Sequence, residues 1–263
     1  MSHVSSPVHH QRAPYTRDVR MAGIPKKLHY IWFGGNPKSA EMEAVIAGWH
    51  KLMPECEVIE WNESNFDVGM HPWMKRMHAE RRYAFASDYA RFHILKEHGG
   101  VYLDTDVVMK KSIAPFLSER CFFSFEFDSF LSTCIIAAEP GHPLISALLT
   151  GYDKVNGPVI NNIIVTEYFL EHYPEFRLNN HDQRMHDGVR VLPKEYFVLP
   201  SFDRSKNFSV HNANNHWKEE RAKWSIGPLV RGIIGDVLFF KLLNVYMNWQ
   251  SDFQAKDRAR RRK

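Results

Sequence analysis

Two carboxylates separated by one residue, Asp104 and Asp106, follow the short apolar run Val101-Tyr102-Leu103. A strand ending there can aim both carboxylates into one place, where they repel unless a cation stands between them. Hard oxygen donors of this kind suit Mg²⁺ or Mn²⁺, and such a cation can bridge the oxygens of a diphosphate and stabilise it as a leaving group. Upstream, Ser87-Asp88-Tyr89-Ala90-Arg91 reads as helix, with Asp88 and Arg91 three apart on one face. Arg91 offers either a planar fork for phosphate or an ion pair that fixes Asp88. An isolated Asp-x-Asp is a common solvated turn. Joined to an apolar strand, and preceded by Gly99-Gly100 and by Ser-Asp-x-x-Arg, it becomes a candidate site.

The elements needed to position these groups are legible along the chain. Ile24 to Phe33 alternates and then runs apolar like a buried first strand, stopping at Gly34-Gly35. Ser39 suits the N-cap of a helix through about Lys51, and Cys56–Trp61 reads as a second strand. A helix from about Arg82 to Glu97 ends at paired glycines suited to a left-handed cap. Further strands are expected near 121–125, 133–137 and 189–192, with helices near 142–152 and 159–172. This βαβ rhythm predicts an α/β sheet with its site at the carboxyl ends of the strands. The expected organisation is a loose N-terminal arm over 1–22, one domain over 23–225, and an apolar helix with a basic tail over 226–263.

Composition narrows the function classes. The chain has 263 residues, 44% hydrophobic and 24% charged, as in globular enzymes and unlike disordered, collagen-like or coiled-coil chains. Cys56, Cys121 and Cys134 are far apart and form no C-x-x-C pair, which argues against a zinc ribbon or a disulfide scaffold and for a reducing compartment. The net charge of +4 resides in the last dozen residues, six basic against two acidic, so no basic face for nucleic acid is expected. Met1 to Arg20 contains no apolar run of the signal-peptide type, and no stretch has the length of a transmembrane helix. A cytoplasmic protein is expected, with peripheral attachment to the membrane face left open.

Ile24-Pro25-Lys26-Lys27-Leu28-His29-Tyr30-Ile31-Trp32-Phe33-Gly34-Gly35, together with Ser87 to Arg91 and Gly99 to Asp106, resembles glycosyltransferase family 32. These are Asp-x-Asp sugar transferases that include capsular-polysaccharide enzymes and are related to large bacterial glucosylating toxins. The resemblance implies a GT-A fold in a single α/β domain and transfer from a nucleotide diphosphate sugar, UDP- before GDP-, with retention. It also implies a divalent cofactor, Mn²⁺ or Mg²⁺. By the same resemblance Trp32 stacks on the base, Asp88 and Arg91 hold the donor sugar, Tyr102 lies against the donor, Asp104 reaches the ribose or the metal through water, and Asp106 ligates the metal directly. Relatives close the site with a polar residue followed by Trp. Here the stretch His211 to Trp217 occupies that region, with His211 or His216 as a further metal ligand and Trp217 over the donor.

Other readings stand beside these. Trp32 could fill core, Asp88–Arg91 could be a surface ion pair, and Tyr102 could simply favour a strand. Asn161, Asn162 and Glu126 or Asp128 are candidates for the acceptor side. Leu103-Asp104-Thr105-Asp106-Val107-Val108 also fits the strand of haloacid-dehalogenase-like phosphatases, but Gly235-Asp236 lacks the second Asp of that family's later motif. A non-catalytic nucleotide-sugar-binding module is a third reading. The expected acceptor is a glycan or lipid-linked glycan of surface polysaccharide, with a protein side chain, as in the toxins, the alternative. Pro228 to about Asp257 reads as one apolar helix that contacts membrane with its basic tail, packs on the domain, or joins two copies in an oligomer.

Overall fold

The computed structural model describes residues 23–212 and 227–262. The arm expected over 1–22, His216 and Trp217 lie outside the described residues. The first half of the chain runs β1 (Lys27–Ile31), α1 (Ala40–Leu52), β2 (Glu57–Trp61), α2 (Pro72–Ala79), α3 (Tyr83–His98), β3 (Gly100–Leu103) and β4 (Val107–Met109). Then follow β5 (Cys121–Phe127), β6 (Phe130–Ala138), α4 (Pro143–Gly151), α5 (Asn161–His172), β7 (Gln183–Arg184), β8 (Val189–Leu192), α6 (Lys194–Phe197) and β9 (Ser209–His211). Ser39 caps α1 as expected, its hydroxyl accepting from the Met42 amide.

The central sheet has seven strands in the order β2-β1-β3-β6-β5-β8-β7. It is mixed: β1 is parallel to β2 and β3, whereas β6 is antiparallel to both β3 and β5. The α/β class is therefore as expected, with a hairpin at its centre in place of a purely crossover-linked sheet. Both faces are covered, and the strands alternate between two apolar cores. Tyr102 and Ile136 face the layer containing α2 to α5. Val101, Leu103 and Ile135 face the layer containing α1 and Phe197.

The turn from α3 into β3 requires its glycines. Gly100 has φ +101, and a Cβ there would stand 2.8 Å from both His29 Nε2 and the Lys27 carbonyl. This close approach sets β3 tightly against β1, so the carboxyl ends of β1 and β3 emerge side by side. With the register Leu28–Val101 and His29–Tyr102, Trp32 just past β1 and Asp104 to Asp106 just past β3 leave the sheet at the same edge.

Beyond residue 226 the single expected helix is three: α7 (Gly227–Ile234), α8 (Asp236–Gln250) and α9 (Asp252–Arg260). Gly235, at φ +76, breaks the first junction, and Ser251 caps α9 across the second. The basic tail is docked in part. Arg260 bonds the carbonyls of Leu170, Tyr173 and Phe176, Arg260 and Arg261 both pair with fully buried Asp257, and Lys256 pairs with Glu167. Asp128 holds α8 through Asn244 and Asn248, and also takes an ion pair from Lys194. The opposite stripe of α8, Leu238, Leu242, Val245, Tyr246 and Trp249, is exposed, continuing from Leu229 and Ile233 on α7. Among the described residues no helix is long and apolar enough to cross a membrane.

Candidate active site

The Asp-x-Asp turn is held from three sides. Asp104 donates its amide to the Cys134 carbonyl on β6, and the Val107 amide closes the turn on the Asp104 carbonyl. Beyond the turn, β4 pairs antiparallel with β9 in a separate two-stranded ribbon, Val107 opposite His211. The Asn212 amide bonds the Asp106 carbonyl. A segment about 100 residues later in the chain is thereby laid along the motif, and His211 Nε2 comes 3.1 Å from Asp106 Oδ1.

Behind the turn stands a buried polar stack. Tyr102 and Asp104, two apart on a strand, share a face, and the Tyr102 hydroxyl donates to Asp104 Oδ1 at 2.7 Å. Arg91 lies over the Tyr102 ring, 4.5 Å from its centroid, with Nη1 3.5 Å from Asp104 and Nη2 2.7 Å from Asp88. Nη1 also donates to the Thr133 carbonyl, and Nε to that of Ser87. Arg91 is only 5% exposed and directs its donors inward, forming the expected ion pair with Asp88 and a second contact with Asp104. The surface ion-pair reading fails on this burial. Burial pushes the Asp88 carboxyl up to about 7 against the pull of Arg91. It also raises Asp104 above the usual carboxylate range. Burial opposes the charge on Arg91 too, but Tyr102, Asp104 and Asp88 together hold its proton on.

Tyr102 is 2% exposed, its hydroxyl taken by Asp104 and one face of its ring covered by Arg91. Trp32 is partly buried at the lip of the same strand ends, its indole N–H fixed to the Asn36 carbonyl at 2.6 Å. Asn161 is buried, accepts from the Tyr152 hydroxyl and donates to the Asp88 carbonyl, which makes it a support for α3. Asn162 accepts from the Thr133 hydroxyl. Glu126 and Asp128 part company: Asp128 ties down α8, while Glu126 lies 4.0 Å from His211 Nδ1 and accepts from Ser132. Residue types could not separate these two carboxylates. What separates them is the irregular pairing of β5 with β6 between Phe125 and Phe127.

The donor atoms of Asp104, Asp106 and His211 all lie within 4.8 Å of one another. Among the described residues, Asp88 and Asp104 face Arg91, and Asp106 and Glu126 face His211. Burial works against a charge on His211, but Cys134 and Asp106 raise its pKa well above the ordinary value. Two hard carboxylates, one imidazole and an excess of negative charge fit a divalent cation of the Mn²⁺ or Mg²⁺ kind.

Residues 39–123, a span that includes Asp88, Arg91, Asp104 and Asp106, match the family described as a glycosyltransferase sugar-binding region containing the DXD motif. An uncharacterized glycosyltransferase of Acanthamoeba polyphaga mimivirus is 26% identical over 60% of this chain and 67% of its own length. Inositol phosphoceramide mannosyltransferase 1 of Schizosaccharomyces pombe is 25% identical over 77% of this chain and 65% of its own length. Inositol phosphoceramide mannosyltransferase 3 of the same yeast is 27% identical over 47% of this chain, which spans only 36% of it. Among solved structures, the PaToxG glycosyltransferase aligns with TM-score 0.48 at 20% identity, covering 58% of this chain and 70% of that one. The phosphatase reading gives way to the family match. A mixed α/β sheet carries the Asp-x-Asp turn at the carboxyl end of a central strand, and the stretch of chain around that turn is similar to the glycosyltransferase sugar-binding region containing the DXD motif.

Proposed function

We propose that the protein is a metal-dependent, retaining hexosyltransferase that moves a sugar from a nucleotide diphosphate donor to a lipid-borne glycan acceptor. The convergence of Asp104, Asp106 and His211 on one point carries this reading. A divalent cation held by these three would neutralise the diphosphate as it leaves. Asp88, partly open to solvent beside Arg91, orients the donor sugar through its hydroxyls, and Trp32 supplies a flat face for the base. Arg91 locks Asp88 and Asp104 in place so that the site is organised before the donor arrives. No carboxylate is placed as a covalent nucleophile by the motif, so displacement is proposed on the front face, the departing diphosphate taking the acceptor proton.

Two yeast relatives are named as inositol phosphoceramide mannosyltransferases, so mannosyl donors belong beside glucosyl and galactosyl ones in any screen. The test is thermal shift and slow donor hydrolysis with UDP- and GDP-sugars, with and without Mn²⁺. A metal-dependent shift with one donor, lost in Asp106→Asn, is the expected result. Hydrolysis of simple phosphate esters without nucleotide dependence would overturn the reading.

The same acceptor class gives the exposed α7–α8 stripe an occupant, the lipid surface. Its apolar side chains recur at helical spacing and include Tyr246 and Trp249, residue types that favour the headgroup boundary. Cosedimentation with vesicles of phosphatidylcholine and phosphatidylinositol should fall in Leu242→Asp with Val245→Asp. A dimer in solution that these substitutions dissolve would instead assign the stripe to self-association.

A further inference from the structure

His211 presents two ring nitrogens to two different surroundings. Nε2 faces Asp106 at 3.1 Å, whereas buried Nδ1 makes no well-aligned hydrogen bond among the described residues and lies 4.0 Å from Glu126 Oε1, with the Cys134 sulfur in the same cluster. Glu126 is held for this encounter: it sits near the end of β5, and its other oxygen accepts from Ser132, whose hydroxyl also touches the Cys134 sulfur at 3.2 Å. A carboxylate placed behind a histidine in this way accepts the proton on the far nitrogen, fixing which nitrogen keeps a lone pair and which way the ring faces. We infer that Glu126 is a positioning residue for the metal site. It holds the Nδ1 proton of His211, leaving Nε2 to act with Asp104 and Asp106 as a ligand.

The inference rests on the proposed role of His211 as a ligand, and its experiment separates the two. Mn²⁺ affinity is measured by electron paramagnetic resonance, without donor or acceptor, for the unsubstituted protein, Glu126→Leu, Glu126→Gln, His211→Ala and the double variant Glu126→Leu with His211→Ala. A carboxylate that acts through a histidine should cost about 10- to 100-fold in affinity when removed. It should cost nothing further once His211 is gone. Glutamine, whose carbonyl can still accept from Nδ1, should restore most of the affinity, and Glu126→Ala stands in for leucine if that variant does not fold. Histidine ¹⁵N shifts of the metal-free protein, with His211→Ala marking the resonance, should report a larger share of the Nδ1–H form in the unsubstituted protein than in Glu126→Leu; equal shares overturn the positioning role. Unchanged affinity in Glu126→Leu, or a loss that adds to that of His211→Ala, overturns the positioning role while leaving the ligand set intact. Unchanged affinity in His211→Ala, or no Mn²⁺ binding by the unsubstituted protein, overturns both.

Discussion

At the scale of single residues, the site is a set of carboxylates made tolerable by what touches them. The Tyr102 hydroxyl is one of few donors available to Asp104, so Tyr102→Phe leaves a buried oxygen short of a partner without opening a cavity. Turnover should fall about tenfold, close to 1.4 kcal/mol in barrier, while the melting temperature moves little. A comparable loss of stability and activity together would mean that Tyr102 serves the core alone. Arg91→Lys should cost more, because a single ammonium cannot hold Asp88, Asp104 and the Thr133 carbonyl at once. Asp88, Arg91, Asp104 and Asp106 stand out by their spacing because they are local: two lie on one helix turn and two just past one strand, and the glycines announce the turn between. His211 was readable only as one of two histidines, because its partner Asp106 is reached through a ribbon that no local pattern encodes. Glu126 carried no signal separating it from Asp128, two positions away.

At the scale of elements, the α3–β3 turn decides how closely β3 can approach β1. Gly100→Ala would put a methyl group against His29 and the Lys27 carbonyl in a conformation that L side chains rarely adopt. A loss of about 2 kcal/mol or more is expected, read as a fall of roughly 4–8 °C in melting temperature. Most strands and helices up to α5 are legible because each carries its own periodicity and punctuation; α2 and β4, both short, are not. Nor is the antiparallel return of β6, since an apolar run buried on both faces looks alike in either direction. The C-terminal helices differ from the single expected one for another reason. Gly235 stands inside an apolar run that reads as continuous helix, and Asp257 reads as a tail charge until Leu178, Arg260 and Arg261 close around it. Burial works against that carboxylate, but Arg261 and Arg260 hold its pKa below the usual range. Asp257→Asn should therefore release α9 at a cost of about 2–3 kcal/mol, seen as new proteolytic cleavage near residue 251 before global unfolding.

At the scale of the whole molecule, acid sensitivity has an identifiable source in His29. It is fully buried between the Gly99 carbonyl and the Trp61 indole, and burial lowers its pKa from 6.5 to about 4. Between those values the unfolded chain binds a proton that the folded protein refuses. Stability therefore falls as pH drops from 6.5 toward 4, by roughly 3 kcal/mol from this group alone. Urea unfolding across that window should show the slope flattening by close to one proton in His29→Gln. An unchanged slope would place the acid sensitivity elsewhere. The β4–β9 ribbon also imposes an order in time. A nascent chain displays Asp104 and Asp106 well before it contains His211; at about 5–20 residues per second, some 5–20 s separate the two. During that interval the two aspartates lack their imidazole partner, which arrives only when Ser209–His211 pairs back onto Val107–Met109. The three-residue cluster is thus assembled at a late step of biosynthesis, after the strand that carries the aspartates has been made.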